Sequence, residues 1–167
     1  TPVAANVRDD ASVTAAVMGS DAVVNLVGVL YETGRQTFDA VHHQGAGRIA
    51  RAAKAAGVER LVHVSAIGVD SEAGSDYARS KAAGETSVRA AFPRAAVIRP
   101  SIVFGADDKF FNLFAAFARL SPMLPLIGSG GTRFQPVYVG DVAAAVAATV
   151  FSADRRPNGA GTTYELG

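Results

Sequence analysis

Short apolar runs rich in β-branched residues alternate along the chain with longer segments whose apolar positions recur every three or four residues. Residues 3–7 and 22–28 read as strands, and 11–19 between them as a helix opened by Ser12 and closed by Gly19. From Phe38 the apolar or small positions are Val41, Gly45, Ile49, Ala52, Ala53 and Ala56, with Arg48, Arg51 and Lys54 between them. That spacing predicts one amphipathic helix ending at Gly57. A strand over 60–68, a helix over 76–92 and a strand over 95–105 follow. The strands are apolar almost throughout, as a parallel sheet covered by helices on both faces requires.

Beyond Gly105 the strict alternation stops. Residues 109–122 carry phenylalanines at helical spacing, a loop-rich stretch follows, and 140–151 reads as a helix with Asp141 as N-cap. The expected organisation is α/β. Residues 1–105 form part of a Rossmann-type, doubly wound parallel sheet, and 106–167 form a smaller substrate-side region with a helix returning to the sheet. No glycine-rich phosphate turn follows the first expected strand, although such sheets carry it there. The pattern therefore reads as a sheet without its N-terminal βα units, in a chain that is part of a longer one.

Composition narrows the function. With 49% apolar and 19% charged residues, 167 residues can build a packed core. Sixteen Lys and Arg against fifteen Asp and Glu give a net charge of +1, no field to attract polyanions, so nucleic acid is not an expected partner. The absence of cysteine removes disulfides and thiolate metal sites from consideration. The longest strongly apolar run, 142–151, is about half of a membrane-spanning helix.

Two glycine patterns imitate a dinucleotide fingerprint. "GAGRIA" (45–50) matches in letters but lies inside the helix from Phe38, where its N–H groups are already bonded. "GSGG" (128–131) leads into "TRFQPV", which opens no helix, and reads as a loop.

Candidate chemistry collects where a parallel sheet places its ligands, at the C-terminal strand ends. Ser65 closes the strand from Arg60, and Tyr77 and Lys81 stand four apart on the next helix, on one side. A lysine ammonium beside a phenol favours phenolate and lowers its pKa toward a range useful for acid–base work, while a serine hydroxyl can hold a carbonyl oxygen. Read from chemistry alone, the same residues also suit an exposed helix face with a surface lysine. His42 and His43 lack an acidic partner at ligand spacing and read as helix-surface histidines, with no metal expected. His63, inside an apolar strand, reads as a core histidine.

Ser65 with "YARSK", together with "DAVVNLVG", "AAVIRPSIVFG" and "VYVGDVAAAV", resembles the extended and atypical short-chain dehydrogenase/reductase superfamily. "GVERLVHVSAIGVD", "YARSKAAGETSVRAAFP" and "FQPVYVGDVA" are most similar to the branch containing the accessory NAD(P)H-binding subunit of respiratory complex I and its bacterial relatives. The resemblance implies a domain holding NADP(H) or NAD(H). Val27 and Gly28 would lie near the adenosine, and Pro100, Ser101, Ile102 and Val103 near the nicotinamide. Lys81 would bind the ribose hydroxyls, Tyr77 would be the acid/base, and Ser65 would polarise a substrate oxygen. His42 stands where extended members carry an asparagine of the proton relay. Two roles follow from the resemblance: a cofactor-propped subunit docking on complex I, or an active reductase, dehydrogenase or sugar-nucleotide epimerase. The implied location is the bacterial cytoplasm, peripheral to the inner membrane, or the mitochondrial matrix side.

Overall fold

The computed structural model describes residues 1–108, 110–120, 131, 134–151 and 161–167. Four strands, β1 (Ala22–Asn25), β2 (Arg60–Val64), β3 (Ala96–Pro100) and β6 (Thr163–Leu166), lie in that order in one sheet. All three pairings are parallel, with Val24 opposite Val62, His63 opposite Val97 and Ile98 opposite Tyr164. Helix α1 (Asp10–Val17) precedes β1, α2 (Ala46–Ala55) connects β1 to β2, and α3 (Asp76–Ala91) connects β2 to β3. Two two-residue strands, β4 (Val103–Phe104) and β5 (Val137–Tyr138), pair in parallel beside helices α4 (Phe111–Leu120) and α5 (Val139–Phe151). This is the α/β architecture expected from the alternation.

The core lies between the sheet and helices α1 to α3. Val13 and Val17 of α1, Ile49, Ala50 and Ala53 of α2, Leu61 of β2 and Val88 of α3 form one buried cluster with Phe92. Each fully buried large side chain there contributes about 1.5–3 kcal/mol. Val62 and Val64 point the other way, because side chains alternate along a strand, and α5 packs against β2 and β3.

Several local expectations change. Residues 3–7 form no ladder and are largely exposed, because no strand of the described sheet lies beside them. Asp9, not Ser12, caps α1. Its Oδ1 accepts from Ser12 N–H at 2.6 Å, while Ser12 Oγ accepts from Asn6 N–H. Gly19 and Gly57 follow their helices with φ near +70°, as expected. The strands expected over 22–28 and 60–68 stop at Asn25 and Val64, leaving their last residues as loops over the sheet's C-terminal edge. The strand expected over 95–105 breaks after Pro100, and Val103 leaves to pair with Val137. Asp141 lies within the first turn of α5 rather than at its cap. Pattern reading did not find β6. Of "GSGG", residues 128–130 lie outside the described residues, as does the expected helix beyond Leu120.

The helix from Phe38 is continuous but not uniform. Its first part, Asp39–Gly45, is wound as a π-helix and runs directly into α2. Val41 and His42, adjacent in sequence, are both buried there. Glycine lets α3 cross this segment closely: a Cβ at Gly84 would overlap the His42 carbonyl oxygen, and one at Gly47 would lie 3.1 Å from Ser87 Cβ.

Candidate functional site

The C-terminal ends of β1, β2 and β3 lie side by side, and α3 starts above them. Ser75 caps α3 by accepting from Ala78 N–H at 3.1 Å, which starts the helix at Asp76, one residue before Tyr77. Lys81, one turn on, is buried and donates from Nζ to the Val64 carbonyl at 3.0 Å. Gly28 stands opposite, where a Cβ would approach Lys81 Nζ at 4.0 Å and His42 Nε2 at 3.6 Å. Ser65, following β2, is fixed through its N–H to the Ile98 carbonyl at 2.7 Å, and Ile67 N–H donates to the Pro100 carbonyl.

His42 is not on the helix surface. It is only 2% exposed, stacks on Phe38 and meets the Tyr77 ring edge-on at 5.2 Å. Val29 N–H donates to its Nε2 at 3.0 Å, so the proton sits on Nδ1, which donates to Ser80 Oγ at 3.0 Å. Ser80 passes its own hydrogen to the Tyr77 carbonyl. Burial, reinforced by the Lys81 charge, lowers its pKa to about 4, and the ring is neutral. His42 thus ties the loop after β1 to the start of α3. His43 is half-exposed and pairs with Asp39 at 2.7 Å.

His63 is a core histidine, as its strand implies. Asn25 Oδ1 accepts from Val27 N–H, so Asn25 Nδ2 donates to His63 Nδ1 at 3.0 Å and the His63 proton sits on Nε2. That buried N–H has no partner. Burial first, then Lys81, lowers its pKa to about 4 as well. Ser65 Oγ is also buried without a partner; it acts electrostatically on Glu85 but completes no hydrogen bond of good geometry with it. Glu85 is forked by Arg99, with Nε to Oε1 at 2.9 Å and Nη2 to Oε2 at 2.8 Å. Burial pushes its carboxyl up, but the Arg99 bonds outweigh this and hold it below the usual range.

One electrostatic expectation is reversed. Tyr77 is half-buried, and burial pushes its phenol above the ordinary value rather than down. Its ring packs on His42 and Phe38, and no hydrogen bond joins its hydroxyl to Lys81. A phenol so placed is suited to give a proton, not to rest as phenolate. Burial likewise lowers the Lys81 pKa, partly offset by Glu85.

The sites expected from the sequence therefore meet at one edge with unequal intimacy. Gly28, Lys81 and the ring of His42 converge. Ser65 and Pro100 neighbour one another through the strand-end hydrogen bonds, whereas Val27 is largely exposed and Ile102 and Val103 turn away into β4. Ser101 N–H bonds the Leu166 carbonyl of β6. Asn25, Glu85 and Arg99 escaped the sequence reading, which had placed His63 in the core without its partner. For Asn25 and Arg99 a signal was available, since a polar or charged residue at an apolar strand position announces a buried partner; Glu85, on a helix, offered none. Among the described residues no cluster is placed to hold a metal, and no helix is long and apolar enough to cross a membrane.

The donors fit a nicotinamide dinucleotide. Gly28 leaves a cradle that a side chain would fill, Lys81 has two N–H bonds beyond the one to Val64, and Ser65 Oγ is unpartnered. Fold and site together define a nucleotide-binding α/β domain. Residues 1–103 match the NAD(P)H-binding family, and the chain belongs to it. NAD(P)H is the cofactor that goes with that family. Over 99% of its length the chain is 38% identical to NADH dehydrogenase [ubiquinone] 1 alpha subcomplex subunit 9, mitochondrial, of Arabidopsis thaliana, and covers 41% of that protein. It is 37% identical, over 78% of its length, to the ceramide reductase of Caulobacter vibrioides, covering 40% of it. The chain thus spans about two fifths of these relatives. DesIV, a dTDP-glucose 4,6-dehydratase of Streptomyces venezuelae solved with NAD and TYD bound, superposes with a TM-score of 0.78 at 24% identity, over 97% of this chain and 56% of that one. At that identity the likeness concerns the fold.

Proposed function

We propose that this chain is the cofactor-holding part of a short-chain dehydrogenase-like protein of the complex I accessory-subunit type, in which NADP(H) or NAD(H) acts chiefly as a structural prop. The observation that carries the reading is a buried lysine fixed at a strand end, facing a glycine whose missing side chain keeps the lysine's ammonium uncovered. Lys81 gives its remaining N–H bonds to the ribose hydroxyls. Val27 and Gly28 flank the adenosine side, and Pro100 to Val103 the nicotinamide side. A ligand that binds only the folded form stabilises it by mass action, which is what a permanent prop does. The whole protein docks on complex I, on the matrix side in mitochondria or at the cytoplasmic side of a bacterial inner membrane.

Purification of the full-length protein followed by mass spectrometry of any retained nucleotide tests this. Retained NADP(H) or NAD(H), lost or weakened about tenfold or more in Lys81→Ala, is expected. No retained nucleotide, with no binding of added NADPH or NADH, sinks the reading. Co-purification with complex I, and assembly unaffected by Tyr77→Phe, are expected of a prop.

A second reading, an active reductase, dehydrogenase or epimerase, is favoured by one observation: Ser65 Oγ stands unpartnered in the set with Tyr77 and Lys81, and a prop needs neither hydroxyl. When bound, the nicotinamide supplies or accepts a hydride. Ser65 holds the carbonyl oxygen, and Tyr77, kept protonated by burial, gives that oxygen its proton. Transfer of label from deuterated NADPH to a carbonyl substrate, abolished in Tyr77→Phe, would establish turnover.

A further inference from the structure

Lys81 and Glu85 lie one turn apart on the same side of α3, and both are 5% exposed. They form no contact ion pair. Both oxygens of Glu85 are taken by Arg99 of β3, whose remaining nitrogen Nη1 reaches Glu165 of β6 at 3.1 Å. Charged and titratable groups surround Lys81. His42 of the π-helical segment, His63 of β2 and Glu85 of α3 interact with it directly; Arg99 of β3 reaches it through Glu85, Tyr77 of α3 packs on His42, and Arg89 of α3 acts on His63 farther along. Both imidazoles have their acceptor nitrogen occupied by a donated N–H and are neutral, so neither offsets the ammonium's charge. Tyr77 is a phenol. Among the described residues the one anion in this buried layer is Glu85; Glu165, half-exposed, meets Arg99 from outside.

An ammonium removed from water loses its proton unless an opposite charge lies near, and a lysine without the proton has one donor fewer and no charge with which to hold a ribose. We propose that Glu85 is the positioning residue of this site: anchored by the Arg99 fork, its carboxylate is the countercharge that keeps Lys81 protonated inside the protein and so sets the upper pH limit of cofactor binding. The fork fixes the carboxylate at the sheet face and, through Glu165, ties it to the last strand. The consequence for the cofactor rests on the function proposed above; the consequence for Lys81 does not.

The test uses the full-length protein with 13C-labelled lysine, and follows the Lys81 side-chain carbon through a pH titration, assigned by its absence in Lys81→Arg. Glu85→Gln is expected to lower the Lys81 titration midpoint by about one pH unit or more. Glu85→Gln with Arg99→Gln, which leaves neither charge unpaired, is the variant to use where the single substitution fails to fold. It is expected to lower the midpoint too, and Glu85→Asp to restore most of it. An unchanged midpoint in a folded Glu85 variant overturns the proposal. NADPH affinity is measured in parallel. It is expected to match wild type within about threefold at pH 6.5 and to fall about tenfold or more below it at pH 9. A loss equal at both pH values marks a merely structural role and also overturns it. A midpoint that moves in a protein that binds no nucleotide confirms the role of Glu85 and refutes the cofactor reading instead.

Discussion

Beside Lys81, two histidines are neutral for the same physical reason, removal from water next to a cation. Both fall from 6.5 to about 4. Unfolding returns them to water, so between about pH 6.5 and 4 the unfolded chain binds more protons than the folded one and stability falls as pH falls. Glu85, held below its ordinary range, acts in the same direction as it becomes protonated. The urea midpoint of the full-length protein is therefore expected to drop steadily from pH 7 to 4.5, and a flat profile would contradict these assignments. His42→Asn should reduce the proton uptake on unfolding by about one. It should also cost about 1–2 kcal/mol at pH 7, because Val29 N–H loses its acceptor. Of this site, the order and spacing of Ser65, Tyr77 and Lys81 suggested a group at the strand ends but suited a surface lysine as well; the burial of Lys81 removes that alternative. The protonation of Tyr77 was not legible, because it depends on how deeply the ring is packed against His42 and Phe38.

At the level of elements, α3 carries the chemistry and its two ends are set differently. The Ser75 cap was hidden in "SDYARSK", a serine directly before an acidic first turn. Ser75→Ala is expected to cost about 1 kcal/mol, read as a shift of the urea midpoint. Gly84 controls how closely α3 crosses the π-helical segment. Gly84→Ala forces the helix off the His42 carbonyl and should cost about 3 kcal/mol, with Lys81 displaced from Val64 and nucleotide affinity lowered accordingly. An unaltered melting curve would show that the two segments separate freely. Apolar periodicity revealed both helices. It could not reveal the π winding, because the spacing of Phe38, Val41, Gly45 and Ile49 suits either geometry over so short a run.

Across the molecule, Arg99 joins three elements, bridging Glu85 of α3 and Glu165 of β6 from the middle of β3. Arg89 makes a second tie between α3 and the end strand, donating to the Gly161 carbonyl and to Thr163 Oγ1. Arg99→Ala strands the Glu85 carboxylate in the interior, and a loss of about 3 kcal/mol is expected in denaturant unfolding of the full-length protein. A near-neutral result would mean that Glu85 finds water or another donor. The strand β6 that receives these bonds carries only four residues, alternating Thr163, Tyr164, Glu165 and Leu166. Too short and too polar to be read as a strand in isolation, it becomes one by adding to the edge of β3.

What the sequence by itself determined is the alternation of strand and helix, the parallel sheet it demands, and the collection of Ser65, Tyr77 and Lys81 at one edge. These follow from period and order, which are local properties. Only the tertiary structure decided where three of the strands end, that His42 turns inward, and that an arginine and a glutamate fourteen residues apart in sequence pair, with the glutamate buried one turn from Lys81. Those outcomes depend on desolvation and on which groups face each other across the sheet, and no periodicity in the chain records either.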